Sequence, residues 1–138
     1  MADHPPPESV NARLQRAMNA HDLEALVGCF DAEYLSDQPA HPNRAFRSPE
    51  GVRKHWSWFF ENVPDFQAEL VRTAIRGDTE WAEWRWHGTQ RDGRPFDVRG
   101  VVIAGVRNGR VMWARLYMEP VESVSADHYR TIAADTGV

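Results

Sequence analysis

Asn108-Gly109 stands in the break between two runs of strand-forming residues, 96–106 and 111–119. Both residues tolerate the positive φ of a type I′ turn, so the pair predicts a tight β-hairpin. Two similar runs come before it: 66–75 and 80–89, parted by Arg76-Gly77-Asp78 and followed by the turn Arg91-Asp92-Gly93-Arg94. Four consecutive strands joined by such short turns can only be antiparallel neighbours. The second half of the chain is therefore a four-stranded meander, and whatever precedes it must cover one face of that sheet.

The first half supplies helices. Val10, Leu14, Ala17 and Met18 recur at helical spacing behind Ser9, a capping residue. His21-Asp22 interrupts the pattern, and Asp22 can cap a second short helix whose stripe is Leu23, Leu26, Val27 and Phe30. Residues 33–37 then read as a strand that stops in the loop Gln38-Pro39-Ala40-His41-Pro42. Ser48-Pro49-Glu50 opens a third helix with a cap hydroxyl, a proline in the first turn and an acid beside it. Val52, Trp56, Phe59 and Phe60 form the buried face of that helix, and Pro64 ends it by forcing Val63 out of the α region. Helices first and antiparallel strands after make an α+β domain over residues 9–121. Residues 1–8, with three consecutive prolines, are expected to be a disordered tail, and residues 122–138 a second tail with a short helix between Ser125 and Ala134.

Charge narrows the partners. Sixteen Lys and Arg against 20 Asp and Glu give a formal charge of −4, with the basic residues scattered. That balance lacks the positive field needed to displace counterions from a phosphate backbone, so no nucleic acid partner is expected. The N-terminus has no basic and apolar signal pattern, and no apolar stretch approaches the length of a membrane span, so no membrane partner is expected either. Cys29 is the single cysteine and fits a reducing, cytoplasmic location. The six His show no ligand spacing, and no phosphate loop, dinucleotide fingerprint or nucleophile elbow occurs, so neither metal nor cofactor is expected. Six Trp, six Phe and three Tyr in 138 residues are unusual, and favour a roomy aromatic-lined interior or interface.

The run 17–26 (AMNAHDLEAL), the strand ending at Asp37, the helix opening Ser48-Pro49-Glu50-Gly51-Val52-Arg53 and the ending Gly109-Arg110-Val111 to Leu116-Tyr117-Met118-Glu119-Pro120 together resemble SnoaL-like proteins of the nuclear transport factor 2-like superfamily, distant relatives of ketosteroid isomerase and the polyketide cyclases. The resemblance covers residues 9–121. It implies a cone-shaped half-barrel, a cystatin-like α+β roll, in which a strongly bent, mainly antiparallel sheet wraps three N-terminal helices around a cavity, with a homodimer formed through the outer sheet face. It does not imply one activity, because cyclases, isomerases, dehydratases, epoxide hydrolases and non-catalytic binding modules share the fold.

On that frame Asp37, at a strand end where isomerase-like relatives carry a carboxylate base, is one catalytic candidate, with an Asx-turn cap as its plain structural alternative. His87 is the other, with Tyr34 as a further hydrogen-bond partner. Two strand parities compete. By hydrophobicity Trp84 and Trp86 face the cavity, with Val98, Gly100, Val102, Ala104, Met112, Ala114, Leu116 and Met118, and Trp56 and Phe60 from the third helix contribute to the pocket. By analogy with the isomerase relatives, Arg85 and His87 point inward instead, opposite Asp37. The departures weigh against two known mechanisms. Both isomerase oxyanion donors are missing, since Val102 and Leu14 hold the matching positions, and Leu116 stands where the epoxide hydrolases place their final-strand carboxylate. The expected ligand is a small apolar or aromatic molecule. The expected role is cofactor-free acid/base chemistry, or else non-catalytic binding.

Overall fold

A computed structural model describes residues 9–122. The two tail expectations, including the helix between 125 and 134, lie outside the described residues. Helix α1 spans Val10–Ala20, and Ser9 Oγ accepts the Ala12 N–H at 3.1 Å as its cap. It ends on His21, whose left-handed φ of 53° lets His21 N–H reach Met18 O and Asp22 N–H reach Ala17 O, a Schellman ending built on histidine in place of glycine. His21 is held there by two further contacts. Its Nε2–H donates to Phe66 O at 2.9 Å, and its ring stacks on Phe60 at 4.7 Å.

Asp22 then caps the five-residue helix α2, Leu23–Val27, by accepting the Ala25 N–H. Phe30, whose spacing assigned it to the stripe of α2, instead opens strand β1, Phe30–Asp37. A single 3₁₀ turn, Pro42–Arg44, and a two-residue strand β2, Phe46–Arg47, fill what reads in the sequence as plain loop. Helix α3 covers Ser48–Asn62 and stops before Pro64 as expected. The expected Ser48 cap is not what starts it: Arg47 holds the cap position without a side-chain bond, and Ser48 takes a φ of 77°, a strained value for a residue with a Cβ.

Strands β3 (Gln67–Arg76), β4 (Thr79–Thr89), β5 (Pro95–Arg107) and β6 (Arg110–Pro120) make the meander. Asn108 and Gly109 both have positive φ, 54° and 73°, as a type I′ hairpin requires. The full sheet has the order β2-β1-β6-β5-β4-β3, with β1 parallel to β6 and every other pair antiparallel. The sheet is open and curled, and the three helices pack inside its curve. At Gly100 (φ 157°) a Cβ would run into the Tyr117 carbonyl, so β5 and β6 approach more closely there than a side chain allows. Two clamps seat α1. Asn19 exchanges two hydrogen bonds with the Ala68 backbone on edge strand β3, and Arg13 reaches Gly109 O at 2.6 Å. Phe66, Leu26, Val52, Val63 and Val111 are fully buried between helices and sheet.

Candidate functional site

Along β4, Glu80, Ala82, Trp84 and Trp86 are buried, whereas Trp81 and Glu83 are exposed and Arg85 and His87 half-buried. Parity on this strand therefore follows hydrophobicity. The inward placement of Arg85 and His87 drawn from the isomerase analogy is corrected: turning them inward would put Trp84 and Trp86 in water. Inside the curve lies a cavity of about 240 Å³. Tyr34, Trp56, Trp84, Trp86, Val102, Leu116 and Met118 all contribute to its wall. Phe60 does not; it is turned onto His21 and the Trp56–Phe66 cluster. Met112 is displaced as well. A bulge between Gly105 and Val106 shifts the β5–β6 register by one residue, so Val111 takes the inward position in its place.

The wall is mostly aromatic, with Trp56 at its centre, 5.2 Å from both Phe59 and Trp86. Polar groups in it are few. Tyr34 and Ser36, two residues apart on β1, are 3% and 2% exposed and hydrogen-bonded to each other. Burial pushes the Tyr34 phenol up to about 12, so it stays protonated and able to donate. Trp86 is 6% exposed, and among the described residues its indole N–H makes no hydrogen bond, and neither does the covered Arg85 Nε on the outer side. An unpaired buried donor costs about 1–3 kcal/mol and calls for an explanation.

At the narrow end Asn11 carries the wall down to Glu80, a buried carboxylate that sequence reading left inside a strand. Asn11 Nδ2 donates to Glu80 Oε1 at 2.9 Å, and the Asn11 backbone N–H, in the first turn of α1, donates to the same carboxylate. Glu80 thus satisfies the amino end of α1 from across the fold. Burial pushes its carboxyl up, and these two hydrogen bonds offset part of the rise. Its signal was its parity: an acid in register with Ala82, Trp84 and Trp86 faces the interior.

The wide end is framed by Gln38, Arg44, Phe46, His55 and Pro120, of which Arg44, His55 and Pro120 are exposed. Of these, the sequence marks only Gln38, as the first residue of a loop. His55 stacks on Phe46 at 4.6 Å, and its Nδ1–H donates to Gly51 O at 2.8 Å, which leaves Nε2 on the side of the ring away from that contact.

Asp37 and His87 are not brought together. Asp37 alternates with Ser36 and so faces outward, its carboxylate 3.9 Å from Arg115 and 41% exposed. His87 sits opposite Gln67 and Asp97 on the outer face. Asp97 there is held below the usual carboxylate range by a hydrogen bond from Arg99, with Arg85 adding to it. Cys29 is buried, with Arg13 Nη2 3.9 Å from its sulfur. Burial outweighs that cation and pushes the thiol up, in keeping with a small core side chain. Among the described residues no three His, Cys, Asp or Glu side chains cluster, and no helix is long and apolar enough to cross a membrane.

With this geometry in place, comparison with known proteins yields a family and a set of folds. The profile of the SnoaL-like domain matches residues 11–114. IdmH of Streptomyces antibioticus, a candidate polyketide cyclase, superposes with TM-score 0.69 at 23% identity over 97% of this chain and 100% of its own. AclR of Streptomyces galilaeus, a candidate hydroxylase, gives TM-score 0.74 at 13% identity over 93% and 94%. A protein of ketosteroid isomerase-like fold from Catenulispora acidiphila, in complex with trimethylamine, gives 0.67 at 15% over 94% and 92%. At these identities the likeness establishes fold alone. No curated protein matches the chain in sequence.

Proposed function

The chain belongs to the SnoaL-like family of the nuclear transport factor 2-like superfamily, and on that premise we propose that it binds one small, largely apolar ring molecule in its internal cavity. The observation that carries this reading is a cavity of about 240 Å³ inside the curve of the sheet whose wall is mostly apolar and aromatic, with few polar groups in it. An oxygen on the ligand, a carbonyl or a phenol, would find its partner in the Tyr34–Ser36 hydroxyl pair of that wall. The volume agrees. A cavity of roughly 150 Å³ holds benzene, so about 240 Å³ has room for two fused rings.

Tryptophan emission reports the event directly, because Trp56, Trp84 and Trp86 are all in the wall. Titration with 2-acetylnaphthalene is expected to quench it saturably, and Tyr34→Phe, which keeps the ring but removes the hydroxyl, is expected to weaken that ligand more than naphthalene. If neither compound binds, the cavity is not a ligand site.

A second reading, cofactor-free acid/base catalysis such as cyclisation, isomerisation or dehydration, is favoured by one feature. The hydroxyl donors in the wall would polarise a ligand carbonyl, while His55 Nε2, at the wide end, would take the proton. Asp37 and His87 could take part only by leaving the outer face. The homodimer through that face is likewise our proposal, supported by Leu35, Trp81, Trp113 and Tyr117, which are 37–46% exposed on it.

A further inference from the structure

The charge at the wide end of the cavity is unbalanced. Arg44 contributes to the wall there and is exposed, and among the described residues no carboxylate pairs with it. Its guanidinium makes a single long hydrogen bond, 3.4 Å from Nη1 to Gln38 Oε1, which turns the amide N–H₂ of Gln38 into a second donor beside it. The acids nearest in the sequence and on the neighbouring strand are already engaged. Glu50 stands 3.6 Å from Arg53, Asp37 stands 3.9 Å from Arg115, and Glu119 is bonded to His41 at 2.6 Å. Among the described residues no Asp or Glu contributes to the cavity wall, and Glu80 reaches it only through Asn11. The site therefore has apolar walls closed at one end, and a cation with spare donors at the other.

From this arrangement we infer that the ligand is an amphipathic acid: a planar ring system that enters first, carrying a carboxylate that stays at the wide end against Arg44 and Gln38. A guanidinium and a carboxylate are matched for two parallel hydrogen bonds, and a group at the rim keeps most of its hydration, so the charge need not be buried. The same reasoning disfavours cationic ligands. An amine at this position would face Arg44 with no carboxylate to receive it. The inference rests on the cavity being a ligand site, as proposed above.

The test compares 2-naphthoate with its neutral isostere 2-naphthamide by tryptophan quenching at low salt. The expected result is a roughly five- to tenfold preference for the acid. Arg44→Gln should abolish that preference by weakening 2-naphthoate far more than 2-naphthamide, whereas Arg76→Gln, on the far hairpin, should leave the preference as it is. Raising the salt should shrink the preference in the wild type only. If acid and amide bind the wild type equally, or Arg44→Gln keeps the preference, the inference is overturned while the cavity reading stands. If neither compound binds, the cavity reading fails and takes this one with it.

Discussion

The two faces of the sheet are built from the same strands and differ by one residue of phase, yet they have opposite chemistry. Inward, β4 presents Trp84 and Trp86, and the few polar groups are paired within the wall or, like the Trp86 N–H, left open. Outward, Glu83, Arg85 and His87 alternate with them, and Arg85 and Arg99 share Asp97 at 3.5 Å and 3.3 Å. Charges on the outer face keep part of their hydration, although Arg85 Nε itself is covered, so the ion pairs there contribute little. A polar group on the inner face has no such recourse. Residues of functional consequence should therefore be sought inside, and those on the outside should be replaceable unless another chain covers them.

The largest effect that tests this contrast compares two tryptophans on one strand. Trp84 is 2% exposed and Trp81 is 46% exposed. Trp84→Ala should cost about 3–5 kcal/mol in denaturant unfolding, and Trp81→Ala should cost under about 1 kcal/mol in the monomer. Equal losses would mean that the outer face is packed as firmly as the inner. Trp81→Glu sharpens the point: if a second copy covers this face, sedimentation should show a dimer for the wild type and a monomer for the variant.

Next in size is Glu80. Glu80→Ala removes the acceptor for Asn11 and should cost about 1–3 kcal/mol. Glu80→Gln keeps an acceptor of the same shape but cannot ionise. Because the Glu80 pKa is raised in the native state, the folded chain holds more protons than the unfolded one between the ordinary carboxylate value and the raised one. The Glu80 contribution thus falls as pH rises through that window and is fully kept below it. Asp97, Asp65 and Asp92 are lowered and slope the other way, so the wild type minus Glu80→Gln difference isolates the effect. A flat difference from pH 4 to pH 7 would show that Glu80 is not held in an unfavourable charged state.

Local chemistry made the elements legible. Ser9, Asp22, Pro64 and Asn108-Gly109 each act within a few residues of themselves, and each marks the boundary it was assigned. Strand β2 was not legible, because two residues carry no period and Phe46 becomes a strand only by pairing with Ser36. The Gly105–Val106 bulge was equally hidden. It moved Val111 inward and Met112 aside, since one inserted residue reverses the parity of the residues beyond it. For the site, hydrophobic alternation placed Trp84 and Trp86, but nothing local told Glu80 that Asn11 of α1 would sit above it, nor Arg44 and Gln38 that they would frame an opening.

The smallest effect is expected at Asp37 and His87, and it decides the most about mechanism. An acid/base pair needs its two members within reach of one bound molecule. Here Asp37 faces Arg115 across the outer side of β1 and β6, while His87 lies on β4, two strands beyond β6 in the sheet. Because the Arg115 partner is solvent-exposed, Asp37→Asn should leave the unfolding midpoint within error, and His87→Ala should do the same. Neither should alter the affinity for 2-acetylnaphthalene or the preference for 2-naphthoate, whereas His55→Ala and Arg44→Gln act at the opening itself. If Asp37→Asn abolished a turnover that His55→Ala spared, β1 would have to rotate its last residue inward in the liganded state. The contrast between the faces would then describe only the empty cavity.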